Sequence, residues 1–279
     1  MKRVDLLLAF LVAAPFALAD IDRPSVAIWN LRNLSIVDRF EEGRYRFAYP
    51  MPEVRKQAIR QLLLQERPSL LFLQEVGSPA FLEELRLDLA AGGLVYSDFA
   101  FSGHPESRTG LAVLSRFTLA EVVFHQPDGI RRGIQEVALV INATRFRFFH
   151  VHLKSRYSTD PGDPDARRER LTGIRALADF LQRQTQLRET EPLILLGDFN
   201  TPFSDPLLEP LRQHWHPLHA ADASGAGWTY FHFRSGSRER LDGCWSPRSQ
   251  PPPLLPAEIL PLMDCPSDHR LLLAPLFFP

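Results

Sequence analysis

Two short, purely apolar runs constrain the fold of this chain more than any other feature. They cover residues 70–73 and 193–196. A strand with one face in water alternates polar and apolar side chains, whereas a continuous apolar run of this length is typical of a strand covered on both faces. We therefore expect sheets that lie between other layers.

Helical periodicity separates these strands. Pro52 opens a helix that ends before Pro68, a second helix runs from Ser78 to Gly92, and a third follows the turn-rich stretch 158–165. The apolar stripes comprise Val54, Ala58, Ile59, Leu62 and Leu63 in the first helix, and Leu171, Ile174, Leu177, Ala178 and Leu181 in the third. One domain of packed sheets covered by helices is the simplest arrangement, because no repeat or linker interrupts the pattern.

Further strands are predicted from alternation and from β-branched and aromatic residues. They cover residues 25–29, 111–114, 121–125, 135–141, 145–153, 228–233, 240–245 and 269–273. In the strand 145–153, a period of two places Phe146, Phe148, His150 and His152 on one face. The aromatic segment 228–233 has the pattern of a core strand.

The first residues have the pattern of an export signal. Lys2 and Arg3 precede an apolar run over residues 6–18, followed by small residues suited to a signal peptidase. The run is shorter than the roughly 20 residues that cross a bilayer. We expect residues 1–19 to be a signal peptide whose removal leaves a secreted or periplasmic domain, 20–279, as a monomer without a membrane anchor. An uncleaved anchor is the alternative.

The chain has two cysteines, Cys244 and Cys265. Export would place them where a disulfide persists, so a bridge and a pair of buried free thiols both remain open. Two cysteines without paired spacing do not favour a zinc site.

Charge composition limits how the chain could bind nucleic acid. With 32 Lys+Arg against 33 Asp+Glu, the formal net charge is -1, which excludes a strongly basic overall surface. Nucleic-acid binding would therefore require a local site. The basic segments are Arg131-Arg132, Arg167-Arg168-Arg170 with Lys154 and Arg156 nearby, and Arg234-Arg238-Arg240. Solvated surface is the alternative for each, and the last is the best candidate because it leads into Asp242.

Polar residues follow several of the apolar strands, and each taken singly is explained by a turn or a satisfied histidine. The motifs, in chain order, are Trp29-Asn30-Leu31-Arg32-Asn33-Leu34, Leu73-Gln74-Glu75-Val76, Gly110-Leu111-Ala112-Val113-Leu114-Ser115-Arg116, Val151-His152-Leu153-Lys154-Ser155, Gly197-Asp198-Phe199-Asn200, Arg240-Leu241-Asp242 and Ser267-Asp268-His269. Together they resemble the endonuclease/exonuclease/phosphatase superfamily of deoxyribonuclease I-like proteins. Gly243 and Cys244 depart from its common pattern, which has an aromatic residue after the acid.

The resemblance implies an α/β fold, a four-layer sandwich of two face-packed mixed β-sheets flanked by helices. It also implies an exported, divalent-metal-dependent phosphodiesterase, and we expect a nuclease whose partner is nucleic acid as substrate. The same machinery cleaves sphingomyelin, other phospholipids and inositol phosphates, so these substrates are the alternative. A non-catalytic binding module on the same fold is a further alternative from a different class.

Phosphodiester hydrolysis requires a cation, a base, charge stabilisation and help for the leaving oxygen. Carboxylate and amide oxygens suit a hard ion, so Mg²⁺ is expected, with Mn²⁺ or Ca²⁺ possible. The predicted metal ligands are Glu75, Asn30 and Asp268. Asp198 is expected to deprotonate the attacking water, and Asn200 to donate to a phosphate oxygen.

Two histidines complete the predicted catalytic set. His269, oriented by Asp242, resembles the family's His-Asp pair, in which the acid favours the protonated imidazole. His152 fits a second phosphate-contacting histidine and a general acid, whereas His150 is expected to be buried behind it. The predicted substrate contacts are Asn30, Asn200, Lys154 and Arg240.

Overall fold

The computed structural model describes residues 23–104, 107–261 and 267–277. The strands are β1 (Ser25–Leu34), β2 (Ile36–Glu41), β3 (Arg44–Pro50), β4 (Leu70–Val76), β5 (Asp98–Ser102), β6 (Gly110–Ser115), β7 (Leu119–His125), β8 (Ile134–Ile141), β9 (Thr144–His152), β10 (Leu193–Asp198), β11 (Trp215–Pro217), β12 (Ala220–Ala221), β13 (Tyr230–His232), β14 (Ser237–Glu239), β15 (Asp242–Pro247), β16 (Ala257–Ile259) and β17 (Leu272–Pro275). The helices are α1 (Glu53–Glu66), α2 (Pro79–Ala91), α3 (Arg167–Leu187) and α4 (Glu209–Arg212), with a 3₁₀ turn at Pro206–Leu208.

Two mixed sheets form the centre of the molecule. The first has the order β12-β16-β17-β1-β4-β6-β5, and the second has the order β11-β15-β10-β9-β8-β7. β1 and β4 are parallel near the middle of the first sheet, as are β9 and β10 in the second. The carboxyl ends of each parallel pair therefore point to the same edge of their sheet.

Three apolar clusters hold four layers together. Between the sheets, Phe72 of β4 packs on Phe148 of β9 with ring centroids 5.2 Å apart. Ile59 of α1 and Leu82 of α2 cover the outer face of the first sheet, and Leu177 of α3 covers the second. The predicted four-layer α/β sandwich is confirmed, and both short apolar runs are strands buried on their two faces.

Three segments differ from the sequence prediction. Residues 36–50 form a hairpin, β2–β3, that was not predicted and that pairs with no other strand in the described part of the chain. The aromatic segment 228–233 is wrong as a core strand: it enters a second small hairpin, β13–β14, and Phe233 at its turn is 55% exposed. The last predicted strand begins later, at Leu272, because His269 makes only a single bridge, to Tyr230.

Residues 1–19, the predicted signal peptide, and Cys265 lie outside the described residues. Cys244 is a free thiol in the core between the sheets, and burial raises its pKa to about 12. No described helix is both long enough and apolar enough to cross a membrane.

Candidate active site

The ends of the parallel strands bring four predicted site residues together. Asn30 lies on β1, Glu75 on β4, His152 at the end of β9 and Asp198 at the end of β10. Asn30 Nδ2 donates to Glu75 Oε1 at 3.1 Å and to Asp198 Oδ2 at 3.0 Å. His152 Nε2 lies 3.5 Å from Asp198 Oδ2 and 3.8 Å from Glu75 Oε1. The two sheets thus meet through a polar cluster at one edge.

A cavity of about 690 Å³ opens over this cluster. Its lining includes Arg32, Glu75, Arg132, His152, Arg156, Asp198, Asn200, Tyr230, Asp268 and His269. We call it the active-site cavity. A space of this size holds a small organic group or one unit of a polymer.

The backbone at the cavity adopts conformations that side chains rarely favour. Glu75 has a φ of 63° and sits where the pairing of β4 with β6 shifts register. Such a bulge turns a side chain out of the pleat, and here it directs Glu75 to the cavity. Asn200 follows β10 with a φ of 48°. Each left-handed non-glycine residue costs about 1–3 kcal/mol, so the surrounding structure must hold it.

A chain of hydrogen bonds orients His269. Its Nδ1 donates to Asp242 Oδ2 at 2.8 Å, and Thr229 Oγ1 donates to the same oxygen at 2.7 Å. Trp29 Nε1 donates to the His269 carbonyl at 3.0 Å. With Nδ1 on Asp242, Nε2 is the nitrogen turned toward Asp198, 3.9 Å from its Oδ2.

Burial and charge tune the two groups that face each other. Burial alone would lower the pKa of His269, but the negative charges of Asp242 and Asp198 outweigh it and raise the pKa to about 10. Burial, with the charge of Asp242, raises the pKa of Asp198 to about 7, against the opposing effects of His269 and the Asn200 N–H. Near neutral pH the site therefore holds an imidazolium beside a carboxyl able to accept a proton.

The two histidines of β9, His150 and His152, are neutral near pH 7. His150 Nδ1 donates to Gln135 Oε1 at 3.0 Å, and its Nε2 accepts from Gln74 Nε2 at 2.5 Å. Its ring is fully buried, as expected from the sequence, and burial lowers the pKa of His150 to about 3. Burial, with the charges of Arg132 and His269, lowers the pKa of His152 well below its ordinary value.

Two groups of side chains could hold a divalent ion. Glu75 and Asp268 line the active-site cavity, and the second Glu75 oxygen accepts no hydrogen bond from the described residues. The Asn30 amide bridges Glu75 and Asp198 through its nitrogen, while its oxygen accepts from the Arg32 N–H at 2.9 Å. This orientation does not present the Asn30 oxygen to an ion, so of the three predicted ligands the two carboxylates fit a hard cation best.

The second group is Asp198, Asp242 and His269, with one ligand atom of each within 4.8 Å of the others. Asp242 Oδ1 is buried without a hydrogen-bond partner, which is consistent with an ion or water there. However, Asp242 Oδ2 and His269 Nδ1 already bond each other. An ion at this group would therefore compete with the pair that orients the histidine.

The structure does not bring Arg240 to the active-site cavity. Its guanidinium stacks 4.5 Å from the centre of the Phe203 ring and donates to the Leu218 carbonyl at 2.6 Å. Arg240 precedes Asp242 closely along the chain, but its side chain packs against Phe203 and Leu218 and does not line the active-site cavity. Lys154 lines an adjoining cavity, and its Nζ donates to the carbonyls of Ser155 and Tyr157.

Two residues that the motifs did not single out complete the site. Arg132 lines the active-site cavity and donates to the Leu153 carbonyl at 3.0 Å. The available indication was the basic pair Arg131-Arg132 just before β8. Thr229 is fully buried and fixes Asp242, but nothing in its sequence context distinguishes it from a core threonine.

Fold and site together define a phosphoesterase-type scaffold: four layers, carboxylates for a hard cation and a buried His-Asp pair. The chain belongs to the Endonuclease/Exonuclease/phosphatase family, whose model matches residues 27–269. Members of this family are generally metal-dependent phosphoesterases. No curated protein sequence matches the chain.

Solved structures share the fold at low sequence identity. Truncated TDP2 of Caenorhabditis elegans is 19% identical with a TM-score of 0.66, over 92% of this chain and 98% of that one. Beta toxin of Staphylococcus aureus, solved with bound magnesium ions, is 15% identical with a TM-score of 0.68, over 91% and 100%. Sphingomyelinase C of Streptomyces griseocarneus is 15% identical with a TM-score of 0.68, over 91% and 99%. At these identities the similarity concerns the fold.

Proposed function

We propose that this chain is an exported, divalent-metal-dependent phosphodiesterase that hydrolyses phosphodiester bonds of nucleic acid. The observation that carries the proposal is the convergence of Glu75, Asp198 and the His269–Asp242 pair at one cavity. These groups supply a cation site, a base and a proton donor, which phosphodiester hydrolysis requires.

Each protein group has a defined task in the proposed reaction. Asp198 accepts a proton from the attacking water, since its pKa of about 7 suits a base at neutral pH. His269 carries the proton that the leaving oxygen needs, and Asp242 keeps it protonated. A divalent ion held by Glu75 and Asp268 would stabilise negative charge on the phosphoryl oxygens. Asn200 lines the cavity, but its Nδ2 donates to the Leu153 carbonyl at 2.9 Å and to Asp198 Oδ2 at 3.3 Å, so in this arrangement it positions Asp198, and contact with a phosphate oxygen would require its amide to exchange partners.

This arrangement changes the role expected for His152. A neutral imidazole has no spare proton for a leaving group, and burial keeps His152 neutral. We therefore assign the general acid to His269. His152, whose Nε2 lies near Glu75 and Asp198, instead contributes a hydrogen bond that holds the phosphate in place.

Nucleic acid is the favoured substrate because three arginines line the cavity, of which Arg32 pairs with Asp268 and Arg156 with Glu239. Arg32, Arg132 and Arg156 all line it, and guanidinium groups bind phosphates with two parallel hydrogen bonds. A near-neutral protein can still present such a local field. Export would bring the enzyme to extracellular or periplasmic nucleic acid. Recovery of a mature protein that begins at Asp20 from the periplasm or medium would support this part of the proposal.

A phospholipid or sphingomyelin phosphodiesterase is the second candidate, and exposed aromatic side chains favour it. Phe40, Tyr45 and Phe47 on the β2–β3 hairpin are 70%, 56% and 77% exposed. Enzymes that act at lipid surfaces need apolar side chains of this kind to enter the interface.

The deciding experiment incubates the purified protein with supercoiled plasmid and Mg²⁺ or Mn²⁺. We expect nicking that EDTA and His269→Ala both abolish. If plasmid and RNA stay intact while sphingomyelin vesicles or phosphoinositides are hydrolysed, the lipid candidate replaces the nuclease. Inactivity on all of them would favour a binding module.

A further inference from the structure

A second cavity of about 350 Å³ adjoins the active-site cavity. The two share Asn33, Arg132 and His152 among their lining residues, so they are continuous across the end of β9. The second cavity is also lined by Arg108, Arg131, Lys154 and Arg170, and Glu169 is the one acidic residue among the lining residues that the structure describes. We call it the basic cavity. Five cationic side chains therefore surround a space next to the reacting groups.

The cations of the basic cavity are largely unneutralised. Within the described ranges, Arg108, Arg131, Arg132 and Arg170 have no carboxylate oxygen within 4.0 Å, and Lys154 Nζ reaches Glu169 Oε2 only at 3.9 Å. Arg147, nearer the start of β9, shows the contrast, since it pairs with Glu121, Glu136 and Glu191. Acidic residues act on the cavity cations at longer range, Glu75 and Asp198 on Arg132 and Asp205 on Arg170, but among the described residues only Glu169 lies within ion-pair distance of one of these cations.

The arrangement is electrostatically costly in the absence of an anion. Arg170 is 5% exposed, and its Nη2 and Nε donate to one neutral oxygen, Thr201 Oγ1, at 2.9 Å and 3.3 Å. Burial lowers the pKa of Lys154, Glu169 opposes this, and the like charges of Arg132, Arg131 and Arg170 lower it further. Buried or crowded charges of one sign are expensive unless an opposite charge joins them. A built cluster of this kind indicates an anion as its occupant.

We propose that the basic cavity binds a phosphate that neighbours the scissile phosphate in the same nucleic-acid strand. The inference rests on the proposed function and adds to it a second site, for a phosphate next to the scissile one. A strand repeats its phosphate at every nucleotide, so one phosphate at the active-site cavity brings another to an adjoining space. A sphingomyelin headgroup has one phosphate and a quaternary ammonium, and the arginines would repel that cation.

Two exposed arginines allow a direct test. Arg108→Gln and Arg131→Gln remove charge from the rim of the basic cavity without breaking an ion pair between described residues. Arg183→Gln is the matched control, because Arg183 is exposed on α3 and lines neither cavity. The probe is a fluorescein-labelled twelve-nucleotide DNA strand. Its binding is measured by anisotropy in EDTA, and its cleavage with Mg²⁺ is compared with that of bis(p-nitrophenyl) phosphate, which has a single phosphate.

We expect each cavity variant to weaken DNA binding about fivefold and to lower the slope of log Kd against log salt by about 0.7, as for one lost phosphate contact. The ratio of kcat/KM for DNA to that for the small diester should fall by a similar factor. Arg183→Gln should match the native protein in every measurement.

The outcomes separate this inference from the proposed function. DNA binding and cleavage by the cavity variants equal to those of Arg183→Gln would overturn the flanking-phosphate site and leave the nuclease assignment intact. Binding that depends on Arg108 and Arg131, without cleavage of any phosphodiester, would support the basic cavity and overturn the proposed enzyme. Failure of the native protein to bind DNA at low salt would overturn the flanking-phosphate site.

Discussion

His269 holds its proton because two buried carboxylates outweigh the cost of burying a cation. Asp242 bonds Nδ1, and Asp198 lies 3.9 Å from Nε2. Removing the ring therefore removes the proposed proton donor and leaves both acids without their counter-charge. The effect should appear in the chemical step, because general acid catalysis is worth roughly 10²–10⁴ in rate.

We expect His269→Ala to lower kcat for nucleic-acid cleavage by about 10²–10⁴ while Kd in EDTA changes little. The control is His214→Ala, because His214 is exposed and does not line the active-site cavity. Single-turnover cleavage and anisotropy provide the two measurements. A variant that retains a tenth or more of native kcat would contradict the assignment.

His150 predicts an acid-sensitive fold. Its pKa is about 3 when buried, against an ordinary 6.5, so below pH 6.5 the unfolded chain binds a proton that the folded chain does not. The contribution of His150 to stability is therefore complete above pH 6.5 and falls as the pH drops toward 3. Between pH 6.5 and 5 the loss amounts to about 2 kcal/mol.

Urea unfolding at several pH values tests this expectation. His150→Gln should flatten the pH dependence of the unfolding free energy over this range, whereas His219→Gln, at an exposed position, should leave it as in the native protein. Equal slopes for native protein and His150→Gln would show that another group carries the acid sensitivity.

At the residue scale, positions at strand ends were predictable and side-chain directions were not. Asn30, Glu75 and Asp198 meet because parallel strands deliver their last residues to one edge. Arg240 could not be placed, since its direction depends on the aromatic ring of Phe203, which is remote in sequence. Thr229 was missed because its role depends on the Asp242 carboxylate, which only the folded structure brings next to its hydroxyl.

The close approach of β9 and β10 depends on one glycine. Gly197 has a φ of 135°, and a Cβ there would lie 1.9 Å from the Val151 carbonyl oxygen. No flexible side chain can yield, because the obstacle is backbone in the neighbouring strand. A larger residue at 197 would separate the strands that position His152 and Asp198.

We expect Gly197→Ala to destabilise the fold by about 3 kcal/mol or more, or to prevent folding. Gly225→Ala is the matched control: Gly225 also has a positive φ, 82°, but no atom lies within 4 Å of its added Cβ. That variant should lose only the backbone term, about 1–2 kcal/mol. Urea midpoints compare the two, and similar losses would show that strain rather than the clash dominates.

At the element scale, the buried strands and the long helices were predictable from the apolar pattern and from the proline, glycine and serine residues at their ends. The small hairpins were not. The α1 stripe was correct at Ile59 and Leu63, but Val54 at its start is 72% exposed. The β2–β3 hairpin turns at Glu42 and Gly43, both with positive φ, a geometry that suits a two-residue turn. Its aromatic residues have the hydrophobicity of core residues although they are exposed, so hydrophobicity alone does not predict that the hairpin lies outside the two large sheets.

The whole molecule should be stabilised by the ion that its site is proposed to bind. Binding to the folded state alone adds RT ln(1 + [ion]/Kd) to the unfolding free energy, about 2.7 kcal/mol at a hundredfold excess over Kd. Each kcal/mol raises the Tm of a chain of this size by about 2–4 °C. Mg²⁺ should therefore raise Tm relative to EDTA.

Calorimetry on Glu75→Gln tests where the ion binds. We expect that variant to lose the Mg²⁺-dependent rise in Tm, with Glu258→Gln, an exposed glutamate outside the cavity lining, as the control that keeps it. If Glu75→Gln keeps the full Mg²⁺-dependent rise in Tm, the ion binds instead at the group formed by Asp198, Asp242 and His269.

The contact between the first and last strands of the described chain determines when activity can appear. β1 lies between β17 and β4, Trp29 bonds the His269 carbonyl, and Ser267 Oγ donates to the Asn30 carbonyl at 2.6 Å. Along the chain, His269 follows Asp198 by 71 residues and is the last of the clustered site residues to be synthesised. The proposed proton donor therefore joins the site only after the last described strand has paired with the first, so a partly folded chain should be inactive in the proposed reaction.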